Sequence, residues 1–130
     1  MDQPLLVLVI DDEANFLEIL KAKLTAAGLR VETAENGREG IQKAKALKPD
    51  LILMDVKMPE MDGIAAVSEL KRDPETKDLK IIFLTNLGEA QADMQEIDEK
   101  FSLNVGAMGY IKKTDDLDSI VQRVKSFLAR

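Results

Sequence analysis

Short apolar runs alternate with amphipathic stretches along the whole chain, and few architectures satisfy that order. Leu5–Ile10, "LLVLVI", reads as a strand buried on both faces. Residues 13–27 follow with Phe16, Leu17, Leu20 and Leu24 at helical spacing, closed by Gly28. "RVETA" alternates, as a half-buried or edge strand does. "GREGIQKAKALK" puts Ile41, Ala44 and Leu47 on one helical face, with Pro49 as its stop. Leu51–Met54 predicts a third strand, and residues 63–72 a third helix with Ile64, Val67 and Leu70 inward. "KIIFLT" predicts a fourth strand, and residues 89–103 a long polar helix carrying Met94, Ile97 and Phe101. "GAMGYIKK" holds a short fifth strand, and residues 115–129 a last helix with Leu117, Ile120, Val121, Val124, Phe127 and Leu128.

Five strand–helix pairs in strict order predict an α/β fold with a parallel sheet. Parallel neighbours need crossover connections, and right-handed crossovers cover both faces with helices. The 130 residues suit one domain over 1–130, with no linker, repeat or low-complexity tract. The charged "KRDPETKD" at 71–78 reads as a solvated connection.

Composition narrows the chemistry. The chain has no cysteine and no histidine, which removes disulfides, thiol nucleophiles, imidazole zinc sites and Ser–His catalysis. A net charge of −6 lacks the basic footprint of a nucleic-acid binder. The apolar run at the start spans six residues, against the ~20 that a membrane helix needs. No membrane association is expected, and the cytoplasm is the expected location.

In an open parallel α/β sheet, ligands bind beyond the carboxyl ends of the strands. Strand one ends in Asp11, Asp12 and Glu13, strand three in Asp55, strand four in Thr85, and strand five near Lys112 and Lys113. Carboxylates so crowded repel one another and call for a cation. Their hard oxygens suit Mg²⁺ or Ca²⁺. Either Asp11 or Asp12 alone can also serve as an ordinary cap of the first helix.

With "VIDDE", "LILMDVKMPEMDG", "FLT" and "GAMGYIKK" in this order, the chain resembles the receiver domains of bacterial two-component response regulators over essentially its whole length. The resemblance implies a doubly wound, flavodoxin-like (βα)5 fold with strand order 2-1-3-4-5; receivers are a standard example of that order. It implies a Mg²⁺-dependent phosphoacceptor at Asp55, taking its phosphoryl group from a histidine kinase or histidine phosphotransfer protein. Asp11 and Asp12 would bind the metal with Asp55 and the Lys57 backbone carbonyl. Thr85 and Lys113 would contact the phosphoryl group, and Tyr110 would be a rotameric switch. Lys113 fits the family spacing from Tyr110, and Lys112, its neighbour in an alternating strand, faces the other way. Such a protein is a switch of protein–protein interactions, not a metabolic enzyme, and acts as a monomer or a phosphorylation-dependent dimer.

Three departures from the family pattern stand out. Thr114 replaces a common proline after the lysine, which puts a cis peptide there in doubt. Asn86 follows Thr85 where a small residue is usual, and the segment from Thr85 to Tyr110 is longer than usual. Other readings of the fold fare worse. A Mg²⁺-dependent phosphatase with an aspartate nucleophile typically has a second aspartate where Lys57 stands. A flavodoxin-like cofactor site would need a phosphate loop where "DDEANF" repels phosphate. A non-phosphorylated scaffold would have no need of the intact acid, hydroxyl and lysine set. No helix-turn-helix or catalytic output module is legible, so output is expected through protein contacts.

Overall fold

The computed structural model describes residues 3–86 and 99–130. Five parallel strands form one sheet in the order β2-β1-β3-β4-β5: β1 Leu6–Ile10, β2 Arg30–Ala34, β3 Leu51–Asp55, β4 Ile81–Thr85 and β5 Gly109–Lys112. The expected α/β class and strand order are therefore present. Helices α1 Ala14–Ala26, α2 Gly37–Leu47, α3 Gly63–Arg72, α4 Glu99–Asn104 and α5 Leu117–Leu128 connect or follow them. The expected helix over 89–103 falls mostly outside the described residues, Met94 and Ile97 with it.

Every residue of β1, β3 and β4 is buried, which is why these strands are unbroken apolar runs. The edge strand β2 alternates, as "RVETA" predicts. Two cores lie on opposite sides of the sheet. Leu8, Ile10, Ile52, Met54 and Phe83 pack with Ile41, Ala44, Val67 and Leu70 of α2 and α3. Val9, Leu53, Leu84 and Ile111 pack with Leu20, Leu24, Ile120 and Val124 of α1 and α5. Alternation along each strand sorts the side chains between the two.

Local chemistry sets the helix ends. Asn36 accepts the Glu39 N–H at 2.8 Å while Glu39 reaches back to the Glu35 N–H at 2.7 Å, a reciprocal cap for α2. Asp62 and Asp116 cap α3 and α5. At α1 the cap position is Glu13, without a side-chain bond to the helix. Asp11 is thus not the helix cap, although its Oδ1 accepts the Glu13 N–H at 2.9 Å.

Several details depart from the sequence reading. β3 runs one residue further and includes Asp55, and Leu5 lies outside β1 and is exposed. Leu47 is exposed at the last turn of α2, because Lys48 turns left-handed (φ 49°) and ends the helix before a further turn can cover it. The stretch 71–78, read from the sequence as a solvated connection, begins with the last two residues of α3 and is not simply solvated: Thr76 is fully buried and its hydroxyl donates to the Leu70 carbonyl at 2.6 Å. No described peptide is cis, the Lys113–Thr114 bond included.

The turn after β3 is the tightest part of the fold. The Gly63 N–H donates to the Val56 carbonyl at 2.8 Å, laying the start of α3 against the end of β3. A Cβ on Gly63 would sit 2.1 Å from the Asp55 carbonyl oxygen, so only glycine fits. Within the turn Glu60 takes φ 68° and the Met61 N–H donates to the Pro59 carbonyl at 2.7 Å, a strained three-residue turn. Gly63→Ala should destabilise the protein by about 1–3 kcal/mol in urea unfolding, because backbone and not a side chain must give way. An unchanged unfolding midpoint would show that α3 docks elsewhere.

Candidate functional site

Asp11 follows β1, while Asp55 and Thr85 end β3 and β4, so the parallel sheet brings them to one edge. Carboxylate oxygens of Asp11, Asp12 and Asp55 all lie within 4.8 Å of one another. Asp11 and Asp55 are buried, whereas Asp12 is exposed. By strand alternation Asp11 and Asp55 face the α1 and α5 side of the sheet.

Lys113 closes this group. Its N–H donates to the Thr85 carbonyl at 2.7 Å, which fixes the backbone one residue past β5. Ile111 points to the α1 and α5 side, and alternation carries Lys113 to the same side. Its ammonium lies 2.9 Å from Asp11 Oδ2, in an ion pair rather than a directed hydrogen bond, and 3.9 Å from Asp55 Oδ1. It also pairs with Glu13 and sits 4.9 Å from the centre of the Phe16 ring. Glu13 and Phe16 were not singled out as site residues in the sequence. Their signal is the i, i+3 spacing, which puts them on one helical side directly after the acid pair.

Electrostatics show what the group lacks. Burial pushes the Asp55 carboxyl up to about 8, helped by the negative charge of Asp11 and only partly opposed by Lys113. Burial likewise raises Asp11, against the pull of Lys113. Burial works against the Lys113 charge, but its pairing with Glu13 and Asp11 and the nearby charge of Asp55 raise its pKa. One ammonium therefore does not satisfy three carboxylates. A compact, all-oxygen, carboxylate-rich donor set of this kind fits Mg²⁺, a hard cation that keeps positions open for water and phosphate oxygens.

The remaining sequence-predicted residues divide. Thr85 is buried, and its hydroxyl has no hydrogen-bond partner among the described residues. Such an orphaned donor is rare in a folded interior. Tyr110 is half-buried on the α2 and α3 side of the sheet with Phe83, the side that alternation also gives Thr85. Its carbonyl accepts from Arg123 at 2.8 Å. The Lys57 side chain is exposed in the turn after β3, outside the acid cluster. Lys112 faces away from Lys113 by the same alternation.

Comparison with known proteins places this geometry. The family model for the response regulator receiver domain matches residues 7–125. The chain belongs to the response regulator receiver family. PilH of Pseudomonas aeruginosa is 32% identical over 123 residues, covering 95% of this chain and 97% of PilH. The DNA-binding dual master transcriptional regulator RpaA of Synechocystis is 34% identical over 124 residues, covering 95% of this chain and 49% of RpaA. The chain thus spans about half the length of RpaA and of the ycf27 regulators, where the share is 47%. A chain of the CheX–CheY–BeF₃–Mg²⁺ complex from Borrelia burgdorferi superposes with a TM-score of 0.81 at 30% identity, covering 98% of this chain and 91% of that one. A receiver domain protein from Methanospirillum hungatei gives a TM-score of 0.81 at 28% identity, covering 97% and 94%. As a receiver domain, the chain is a signalling switch of two-component systems.

The buried charge has a pH signature. An unfolded aspartate ionises near 3.8, and Asp55 in the folded protein only near 8. The folded state then holds the extra proton between those values, so stability should fall as pH rises through that window. In EDTA, wild type should lose stability from about pH 4 to about pH 8 in urea titrations, and Asp55→Asn should flatten the slope. A wild-type slope that the substitution leaves intact would contradict the assignment of the raised carboxyl to Asp55.

Proposed function

We propose that Asp55 is the phosphoacceptor and that the chain acts as one receiver domain, taking its phosphoryl group from a histidine kinase or histidine phosphotransfer protein. The observation that carries this reading is the Asp55 carboxylate at the end of the central strand, buried beside Asp11 with a lysine ammonium 3.9 Å away. In the transfer an Asp55 oxygen attacks phosphorus, the phosphorus–nitrogen bond of the donor breaks, and the imidazole leaves with the bonding pair. The product is an acyl phosphate on Asp55. The acyl phosphate carries more negative charge than the carboxylate it replaces, so the transfer depends on nearby cations to hold it.

Asp11, Asp12 and Asp55, with the Lys57 backbone carbonyl, would hold Mg²⁺. When bound, the metal supplies positive charge that lets an anionic nucleophile meet an anionic phosphoryl group. Lys113 supplies a second cation from the protein itself. The Thr85 hydroxyl, unpartnered among the described residues, is suited to donate to a phosphoryl oxygen after transfer. Tyr110 shares its sheet face and would respond to that movement by turning its ring. The resulting change would alter the affinity of the chain for a downstream protein, as a monomer or a phosphorylation-dependent dimer. In slow dephosphorylation, water would attack phosphorus, the bond to the Asp55 oxygen would break, and inorganic phosphate would leave, regenerating the carboxylate.

No helix among the described residues is long and apolar enough to cross a membrane. The proposed exchange with a histidine kinase would take place in the cytoplasm. Incubation with Mg²⁺ and acetyl phosphate should add about 80 Da to wild type by mass spectrometry and nothing to Asp55→Asn. Equal labelling of the two proteins would remove Asp55 from its role.

A further inference from the structure

We propose that Glu13 is a positioning residue that restrains Lys113, and that its grip sets part of the free energy required to bring the ammonium onto a phosphoryl group at Asp55. The inference rests on the reading that Asp55 is the acceptor and Lys113 its counter-cation. It concerns a residue outside the acceptor, metal and switch positions.

The geometry around Lys113 is uneven. Its ammonium has three N–H donors. Asp11 Oδ2 at 2.9 Å and the Glu13 carboxylate engage it closely, while Asp55 Oδ1 is at 3.9 Å, beyond hydrogen-bond reach. Phe16, one helical turn on from Glu13, closes another side with its ring 4.9 Å away. The lysine side chain is 6% exposed, so water offers little compensation for a lost partner. Lys113 is therefore held toward α1 and away from the acceptor. Asp11 belongs to the candidate metal cluster, and a divalent ion there competes with Lys113 for its oxygens. Glu13 is outside that cluster and keeps its hold when the metal is present. A phosphoryl group on Asp55 must then draw the ammonium against Glu13.

Among the described residues the Glu13 side chain makes no other hydrogen bond or ion pair. It occupies the cap position of α1 without bonding the helix through its side chain, which is 55% exposed. Its substitution should leave the fold intact, and the partly exposed pair should contribute modestly.

The test is beryllofluoride binding at saturating Mg²⁺, followed by ¹⁹F NMR or calorimetry, with four proteins: wild type, Glu13→Gln, Lys113→Met and the double variant. Circular dichroism checks that each is folded. Glu13→Gln should bind beryllofluoride about two- to fivefold more tightly than wild type, the range of one partly exposed ion pair. In the Lys113→Met background the same substitution should change the affinity by much less, because the restraint acts through the lysine. Equal tightening in both backgrounds would mean that Glu13 acts only as a nearby negative charge, and would overturn the proposal. Unchanged or weaker binding in Glu13→Gln would overturn it too. Failure of wild type to bind beryllofluoride at all would instead defeat the phosphoacceptor reading on which it rests. A second measurement reads the restraint directly: in ¹⁵N-lysine protein, a slowly exchanging Lys113 ammonium signal should broaden or vanish in Glu13→Gln, and its persistence would contradict the hold.

Discussion

A buried lysine ammonium set against three carboxylates is the interaction on which the rest of the site depends. Two of the acids, Asp11 and Asp55, lie out of water at the ends of adjacent central strands. Their mutual repulsion and the loss of hydration would be prohibitive without a cation. Lys113 relieves part of the charge and leaves the rest, as the raised Asp55 carboxyl shows. A site in this condition favours any added positive charge. The proposed metal site and phosphoacceptor role both draw on that imbalance, since the same cations would also hold the charge that a phosphoryl group adds.

The fold supplies the rigidity that this imbalance requires. Asp55 is the last residue of a strand paired on both sides, and the start of α3 is pressed against its carbonyl through Gly63. Thr85 ends the next strand and holds the Lys113 backbone through its own carbonyl. Alternation then divides the work between the two faces of the sheet. Asp11, Asp55 and Lys113 turn to the α1 side, where Glu13 and Phe16 meet the lysine. Thr85 and Tyr110 turn to the other side, where the Thr85 hydroxyl has no partner among the described residues and the Tyr110 ring is half-buried. Charge is held on one face, and the proposed response would develop on the other.

Much of this was legible before any coordinates. Unbroken apolar runs such as "LILM" belong to strands covered on both sides, and the alternating "RVETA" marks the edge strand. Their strict alternation with helical stretches leads to a parallel sheet, and a parallel sheet gathers its strand ends on one edge. The acids could be placed there because each ends an apolar run. The strand order was legible only through family resemblance, since alternation alone does not order the strands. What escaped was local. Leu47 lies on the apolar stripe of α2, yet a left-handed Lys48 ends the helix and leaves it exposed. Thr76 sits in a run of charges, yet its hydroxyl is needed inside to satisfy a carbonyl. Glu13 stands in the sequence as one of three acids ending strand one, with no role of its own, and Phe16 as one of the apolar residues at helical spacing. Their meeting at Lys113 depends on contacts between residues about a hundred positions apart, which no local pattern encodes.

The most direct test of the central claim is a crystal structure of the protein with Mg²⁺ and beryllofluoride. The account predicts beryllofluoride on the Asp55 carboxylate, with the Lys113 ammonium drawn from Asp11 to within about 3 Å of a fluorine and the Thr85 hydroxyl on another. Beryllofluoride absent from Asp55, or Lys113 still seated on Asp11 with the Thr85 hydroxyl unpaired, would contradict it.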